Sequence, residues 1–276
     1  MAFWNLDLLS TAMGTERRTI LAFCTSQGLL PTAKFCSENH PMVLYEQEGK
    51  VGVFRCRKKH QTGKDEKKSR ADCIWFSLSK LPAKKIIYLS YCFSLDYSYD
   101  LAIRETSCLI SKTSTETVAD WYSSGREIVV AHLLDRQAAD GPIGGAGKIV
   151  EIDESKFGKR KYNVGHVVEG SWVLGMYERD SKEFRLEVLL SGLGDPITGA
   201  HTQTIESNWR TVKHHLRQSG QPREKLADRL LEFLWRRELR LKPEDPFNAF
   251  LEVVKQYYPV ATAGFSEHLY VILTYI

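Results

Sequence analysis

The spacing of apolar and polar residues predicts strands and then helices in the second half of the chain. Three segments have the length and the branched-residue content of strands: KIVEID, HVVEGSWVLGMYERD and EFRLEVLL. Because short turn-like segments separate them, they predict an antiparallel meander. The apolar positions that follow recur at helical spacing in TIESNWRTVKHHLRQ and again in KLADRLLEFLWRREL. Two amphipathic helices therefore close this half.

The first half of the chain has a strand-like stretch followed by a helical region. Strand is predicted for MVLYEQEGKVGVFRC, and a helix for the apolar run between Leu81 and Leu95, with Pro82 in its first turn. Thr113 and Glu116 match a capping box that opens a further helix. Helices joined by a polar turn are typical of a helix-turn-helix, although plain packing also produces such pairs. The glycine-rich GPIGGAG then predicts a linker.

Composition limits the class of protein. The 276 residues are 43% apolar and 26% charged, which suits one large or two modest globular domains and excludes collagen-like, disordered and disulfide-miniprotein chains. Six cysteines in a chain of this length favour reduced thiols over a secreted disulfide framework. The N-terminus is a poor signal peptide, and LYVILTYI falls short of the roughly 20 residues of a membrane span. The expectation is a soluble intracellular protein.

Positive charge is concentrated in one part of the chain. Eleven basic and three acidic residues lie between positions 55 and 85, a local excess of eight that is larger than the net +4 of the whole chain. Such an excess is what a phosphate-binding surface needs, but a solvated loop or an import signal would have it too. The basic residues are Arg55, Arg57, Lys58, Lys59, Lys64, Lys67, Lys68, Arg70, Lys80, Lys84 and Lys85.

Two Cys-x3-His pairs form a candidate metal site. Cys36 and His40 precede the strand-like stretch, and Cys56 and His60 follow it. Two thiolates and two imidazoles are a common tetrahedral ligand set for zinc. The spacing differs from the usual Cys-x2-Cys knuckle of a zinc ribbon. The alternative is that two surface histidines lie near unrelated cysteines.

Two acidic residues suggest a second metal site. Asp153 is predicted to end its strand, beside the basic residues Lys156, Lys159 and Arg160, and Glu206 opens its helix. An acid beside clustered bases could bring a divalent cation and a phosphodiester together. From spacing alone the simpler explanation is favoured, in which Asp153 caps a strand and Glu206 pairs with Arg210.

Longer motifs resemble one family. IDESKFGKRKY and GAHTQTIESNWR are similar to motifs of the Merlin superfamily of DDE transposases and their ISXO-like bacterial relatives. The resemblance covers roughly residues 30 to 258, and FRCRKKH and TSTETVADWYSSGREI look like that family's zinc-ribbon and helix-turn-helix regions. It implies an α/β fold, a ribonuclease-H-like mixed sheet with flanking helices, which cuts and joins DNA. In such enzymes three carboxylates hold two Mg²⁺ ions.

The resemblance assigns Asp153 to the first carboxylate and Glu206 to the third. His201 and Asn208 lie in the family's motif, where they would position the helix or contact DNA. The second catalytic aspartate has no counterpart, because LLSG runs almost directly into DPITGAHT, and neither Asp180 nor Asp195 matches its position. With two carboxylates in place of three, Mg²⁺ binding is expected to be impaired.

The sequence therefore predicts a transposase-like DNA-binding protein that is catalytically inactive. The alternatives are a domesticated, non-catalytic, sequence-specific DNA-binding protein and a decayed product that folds poorly; an error in the gene model would instead restore the enzyme. DNA is the expected partner, and self-association stays open, with no membrane or small-molecule substrate. The basic clusters and the eukaryote-like version of the family predict a nuclear location.

These predictions divide the chain into six parts. They are an N-terminal segment (1–30), a zinc-ribbon-like basic segment (31–76), a helix-turn-helix-like region (77–137), a linker (138–147), the internally truncated transposase domain (148–258) and a divergent tail (259–276). The candidate DNA-binding residues are spread over both halves of the chain. They are Arg55, Arg57, Lys58, Lys59, Lys156, Lys159, Arg160, Arg210 and Lys213.

Overall fold

The computed structural model describes residues 3–46, 51–60, 65–78, 80–107, 111–157, 170–189, 203–219 and 225–260. The chain divides into two compact units, the first formed by Met1–Gly125 with Glu244–Ile276 and the second by Arg126–Pro243. Helices and two small antiparallel sheets make up the described residues, which confirms a mixed α/β class. The predicted linker at 138–147 lies within the second unit, and the six-part division stays a prediction.

Helices dominate the first unit. They are α1 (Leu6–Met13), α2 (Arg17–Ser26), α3 (Ala83–Ser94), α4 (Tyr99–Thr106), the beginning of α5 (Thr115–Asp140) and α8 (Pro246–Tyr257). The predicted helix after Pro82 is confirmed as α3, most of whose residues are buried. Trp75 packs edge-on against Trp121 and Phe250, with ring centroids 4.9 and 6.0 Å apart. An aromatic core of this kind supplies the largest share of apolar burial.

The start of α5 differs from the prediction in its capping residue. The hydroxyl of Ser114 accepts a hydrogen bond from the backbone N–H of Thr117 at 3.2 Å, so Ser114 is the N-cap. Thr113 is buried instead, and its hydroxyl accepts from that of Thr106 at 2.9 Å. The prediction of Thr113 as the cap was wrong by one residue, because the side chain of Thr113 is turned towards α4.

A small sheet forms the basic part of the first unit. Its strands are β1 (Val43–Tyr45), β2 (Val53–Arg55) and β3 (Lys67–Ser69), which pair antiparallel in that order. Each strand has only three residues. The buried cluster beneath the sheet is correspondingly small. It contains Cys36, Met42, Phe54 and Cys56, with Leu44 packed against them.

The second unit contains the predicted meander. Strands β4 (Val150–Phe157), β5 (Ser171–Glu178) and β6 (Phe184–Leu189) pair antiparallel in chain order, which confirms it. Helices α6 (Gln203–Ser219) and α7 (Leu226–Leu241) follow, as predicted. In the predicted apolar stripe of α6, Ile205, Trp209 and Val212 are buried.

One face of the meander is covered by α6. Gly175 lies in the central strand, and a Cβ there would come within 2.7 Å of Cζ2 of Trp209. Only glycine therefore leaves room for the Trp209 ring to lie across β5.

Asp153 does not end its strand, and that prediction was wrong. It lies in the middle of β4, opposite Gly175. Alternate positions on both sides of Asp153 face the interior, because Glu151, Ser155 and Phe157 are buried whereas Ile152 is 56% exposed. Glu154 and Lys156, the first charged residues after Asp153, occupy strand positions in β4.

Candidate metal centre and basic surface

The side chains of Cys36, His40, Cys56 and His60 come together next to the small sheet of the first unit. One ligand atom from each residue lies within 4.8 Å of all the others. Cys36, Cys56 and His60 are buried, and His40 is half-buried. Zinc bonds of about 2.3 Å to sulfur and about 2.0 Å to nitrogen place tetrahedral ligand atoms roughly 3.5 Å apart. The predicted ligand set can therefore hold a metal ion such as zinc.

A tight turn presents the first two ligands. The N–H of Cys36 donates to the carbonyl of His40, and the N–H of Asn39 donates to the carbonyl of Cys36, both at 3.0 Å. Asn39 has a φ of 58°, in the left-handed region that asparagine tolerates better than most residues. The N–H of His40 points at Sγ of Cys36 from 3.2 Å. This contact fixes the position of the sulfur within the turn.

The end of β2 presents the other two ligands. Cys56 follows the strand directly, and its N–H donates to the carbonyl of Glu66 at 3.0 Å, which fixes the start of the second loop against β3. His60 lies four residues further on and is buried. The sheet thus holds one Cys-x3-His pair opposite the other.

The histidine nitrogens show that this site is suited to a metal. Nε2 of His60 and Nδ1 of His40 are buried and have no hydrogen-bond partner in the described part of the chain. A buried polar atom without a partner is costly, and a metal ion would satisfy both nitrogens. The other ring nitrogen of His60 faces carboxylate oxygens of Glu38 and Glu66 at 3.6 and 3.9 Å. Carboxylates in that position orient metal-binding imidazoles.

Glu66 is a site residue that sequence reasoning missed. The hydroxyl of Ser37 donates to one carboxylate oxygen at 2.6 Å, the backbone N–H of Ser37 donates to both oxygens, and Lys68 lies 3.1 Å away. Hydrogen bonds from Ser37 and Lys68 lower the pKa of Glu66 to about 2. Glu66 is therefore an anion that connects the first ligand turn to β3.

A tyrosine organises two of the predicted DNA-binding arginines. The guanidinium carbons of Arg55 and Arg57 lie 5.2 and 5.5 Å from the ring centroid of Tyr45. Nε of Arg57 also donates to the hydroxyl of Tyr45 at 2.8 Å. Lys58 and Lys59 follow and are exposed. We call these four basic residues, with Tyr45, the basic ribbon surface.

The other predicted basic residues belong to the second unit. Lys156 lies 5.4 Å from the Trp172 ring centroid and Lys213 lies 5.7 Å from that of Phe157, both as cation–π contacts. Arg210 is exposed on α6. The described residues leave out Lys159, Arg160 and His201, so the predictions for them are untested; Asn208 is half-buried in α6.

The two predicted catalytic carboxylates have different surroundings. Asp153 accepts a hydrogen bond from Nε1 of Trp209 at 2.9 Å, whereas Glu206 is exposed in the first turn of α6. A third acid, Glu151, is buried and accepts from the N–H of Ile205 at 3.1 Å and from Arg179 at 2.7 Å. Sequence reasoning missed Glu151, which stabilises the start of α6 from the neighbouring strand.

Comparison with known proteins does not add to this geometry. No protein-family model, curated protein or solved structure matches the chain. The function is therefore inferred from the residues themselves: a Cys/His metal centre, a basic ribbon surface beside it, and a separate three-stranded meander. None of the helices in the described part of the chain is both long enough and apolar enough to span a membrane.

Proposed function

We propose that this chain is a zinc-containing DNA-binding protein related to the DDE cut-and-paste transposases and no longer catalytically active. The observation that carries the proposal is the four-ligand cluster at the base of a strongly basic sheet. Zinc bound there would fix β1, β2 and the loop after β2, which together carry the basic ribbon surface. The second unit would be the ribonuclease-H-like remnant of the transposase.

The arrangement of the arginines supports DNA as the ligand. The Tyr45 ring restrains Arg55 and Arg57 before any ligand binds, so less side-chain entropy is lost when they contact phosphates. Lys58 and Lys59 add two exposed charges next to them. Neutralising DNA phosphates releases counterions, which gives such a surface a strongly salt-dependent affinity.

The loss of catalysis is proposed from the length of the chain between β6 and α6. Residues 190–202 separate β6 from α6, whereas a further helix and strand with their connections need about 20 or more residues. The strand that carries the second aspartate in the family therefore has no room. The alternative, a domesticated sequence-specific DNA-binding protein, is favoured by the same surface and differs in having a selected target sequence.

A salt titration of duplex binding tests the proposal. The affinity for a labelled DNA duplex, measured by fluorescence anisotropy, is expected to fall steeply and linearly on a log–log plot against salt. Replacing Lys58 and Lys59 with glutamate is expected to lower the affinity about tenfold or more and to reduce the slope by about two. A chain that binds duplex without salt dependence, or not at all, would refute the proposed function.

The matched control reverses two charges elsewhere. Arg240 and Lys242 are exposed at the end of α7, in the second unit. The double substitution Arg240→Glu with Lys242→Glu changes the net charge by the same amount as the ribbon variant. Equal losses of duplex affinity in the two variants would mean that the affinity depends on net charge alone. The basic ribbon surface would then have no part in the proposal.

A further inference from the structure

A cavity of about 410 Å³ lies in the first unit. Its walls are one side of α2, from Arg18 to Ser26, together with Glu46 and Arg70. Leu21 and Ala22 supply apolar surface, and the two arginines and Glu46 supply charge. The volume is within the range of small-molecule sites in proteins, about 300–1,000 Å³. Neither the metal centre nor the basic ribbon surface includes these residues.

Arg70 is held rigidly in the wall of this cavity. It is 7% exposed, and its Nε donates to the carbonyl of Pro31 at 3.0 Å. Its Nη2 donates to the hydroxyl of Thr25 at 2.8 Å, and that hydroxyl donates in turn to the carbonyl of Leu21 at 2.7 Å. Two of the three guanidinium nitrogens are therefore used to fix the group. The remaining nitrogen, Nη1, has two further N–H donors to offer a ligand.

The charges around the cavity favour an anion. Arg18 is exposed on α2 and provides a second guanidinium. Glu46 opposes these two charges, but its side chain is 66% exposed and its ion pair with Arg17 is long, at 3.9 Å. Guanidinium groups match the oxygens of a phosphate in shape as well as in charge. One buried and one exposed arginine thus line the same cavity.

We infer that this cavity binds a phosphate group of the DNA backbone, with Arg70 as the fixed donor and Arg18 as the donor at the exposed side. The source of the phosphate rests on the proposed function. Glu46 directly follows Tyr45, and a Cβ on Gly52 would lie 3.2 Å from the carbonyl oxygen of Tyr45 and 3.7 Å from Cδ of Arg70, so the backbone that carries the basic ribbon surface lies close to Arg70.

Two substitutions with opposite expected effects test the inference. Arg18→Ala is expected to lower duplex affinity about threefold to tenfold and to reduce the salt slope by about one. Glu46→Gln is expected to raise the affinity, because among the residues that the structure describes Glu46 is the only carboxylate that lines the cavity. A destabilised chain would bind duplex more weakly, not more tightly. A higher affinity of Glu46→Gln therefore reports on the ligand site and not on stability. Glu46 is largely exposed, and its loose ion pair contributes little to folding.

The matched control is Arg104→Ala. Arg104 is 74% exposed on α4 and does not line the cavity. The substitution Arg104→Ala removes one positive charge from the first unit, as Arg18→Ala does. We expect the control to change the affinity by less than half as much. Arg70→Lys is a second variant, which keeps the charge but loses the planar fork; it should weaken binding while thermal unfolding shows a folded chain.

The outcomes separate this inference from the proposed function. In one outcome the unmodified chain binds duplex with a steep salt dependence, but Arg18→Ala and Glu46→Gln both bind as Arg104→Ala does. That result would overturn the cavity site and leave the proposed function standing. No duplex binding at all would overturn both. Titration with inorganic phosphate provides the last arm. In a further outcome the unmodified chain binds inorganic phosphate but not duplex, and Arg18→Ala abolishes the phosphate binding. That result would identify a free-phosphate site and refute the DNA assignment.

Discussion

Glu232 lies at the centre of a buried ionic cluster in the second unit. Its carboxylate accepts from Nε of Arg126 at 2.7 Å, from Nη2 of Arg236 at 2.7 Å and from Nη1 of Arg229 at 3.2 Å. Burial raises the pKa of Glu232, but the three arginines outweigh that effect and lower it to about 2. One carboxylate thus holds three guanidinium groups together.

Removal of this carboxylate is expected to be severely destabilising. Glu232→Gln would leave three arginines without their counter-charge, and breaking a buried pair on one side costs about 3–5 kcal/mol. The control is Glu252→Gln, whose exposed ion pair with Lys255 in α8 is worth less than about 1 kcal/mol. Denaturant unfolding at neutral pH measures both. A loss for Glu232→Gln as small as that of the control would contradict the role of the cluster.

The same cluster sets a dependence of stability on pH. The folded pKa of Glu232, about 2, is below its value of 4.5 in an unfolded chain. Its contribution to stability is therefore complete above about pH 4.5 and is lost as the pH falls towards 2. The unmodified protein and Glu232→Gln should then approach each other in stability at low pH. A difference that stays constant from pH 7 to pH 3 would show that the charge is not responsible.

At the residue scale, local spacing predicted the ligands but not the residues that support them. The Cys-x3-His pairs are a local pattern, and the structure brings all four side chains together. Glu66 contacts Ser37 across 29 positions, and Glu151 contacts Ile205 across 54. Tyr45 is likewise separated from Arg57 by 12. Such partners are set by the register of the strands, which single-sequence spacing does not specify.

Among the elements, length separates most of the predicted helices from the missed ones, although α8, with 12 residues, was missed as well. Helices α3, α6 and α7 have 12 to 17 residues, enough for an apolar stripe to repeat. Helices α1 and α4 have eight residues each and were not recognised. The strands β1 to β3 have three residues each, too few for alternation to mark their ends.

The small sheet is expected to depend on its metal. Strands of three residues over a buried cluster of four cannot outweigh the entropy of ordering the chain, so bound metal would supply the missing stability. Zinc analysis should give one ion per chain. Chelation should then increase amide hydrogen exchange in residues 31–76 and leave α7 protected. Zero zinc, or unchanged exchange after its removal, would contradict the metal centre.

A matched pair of cysteine variants sharpens that measurement. Cys36→Ser is expected to lose the zinc, because a serine hydroxyl is a much poorer ligand than a thiolate. Cys73→Ser should keep it, since Cys73 is exposed beside Asp72 and lies outside the four-residue cluster. Equal zinc content in the two variants would show that Cys36 is not a ligand.

For the whole molecule, the sequence predicted the class of fold but not where the chain divides into two compact units. The α/β class and the order of the strands and helices after residue 147 are confirmed. The boundary between the units falls between Gly125 and Arg126, inside the continuous helix α5. Because this boundary lies inside one continuous helix, no change in amino-acid composition marks it in the sequence. The ribonuclease-H-like relation stays a proposal, because no family model, curated protein or solved structure matches the chain.

The proposed loss of catalysis is tested on the intact chain. With Mg²⁺ and a DNA duplex, we expect neither strand cleavage nor strand transfer, because two carboxylates do not hold two ions in the geometry the reaction needs. Asp153→Asn is the informative variant, since its amide oxygen can still accept from Trp209. It should bind duplex as tightly as the unmodified chain. Mg²⁺-dependent cleavage that Asp153→Asn abolishes would show that the enzyme is active.

The closeness of the two sulfur ligands has a redox consequence. Sγ of Cys36 and Sγ of Cys56 lie within 4.8 Å of each other, and a disulfide needs about 2.05 Å. In the metal-free chain a small movement would bring them to bonding distance, and an oxidant such as dioxygen could accept the two electrons that are released. A disulfide there would consume both thiolates at once. Protein handled without a thiol reductant would then fail to take up zinc until it is reduced.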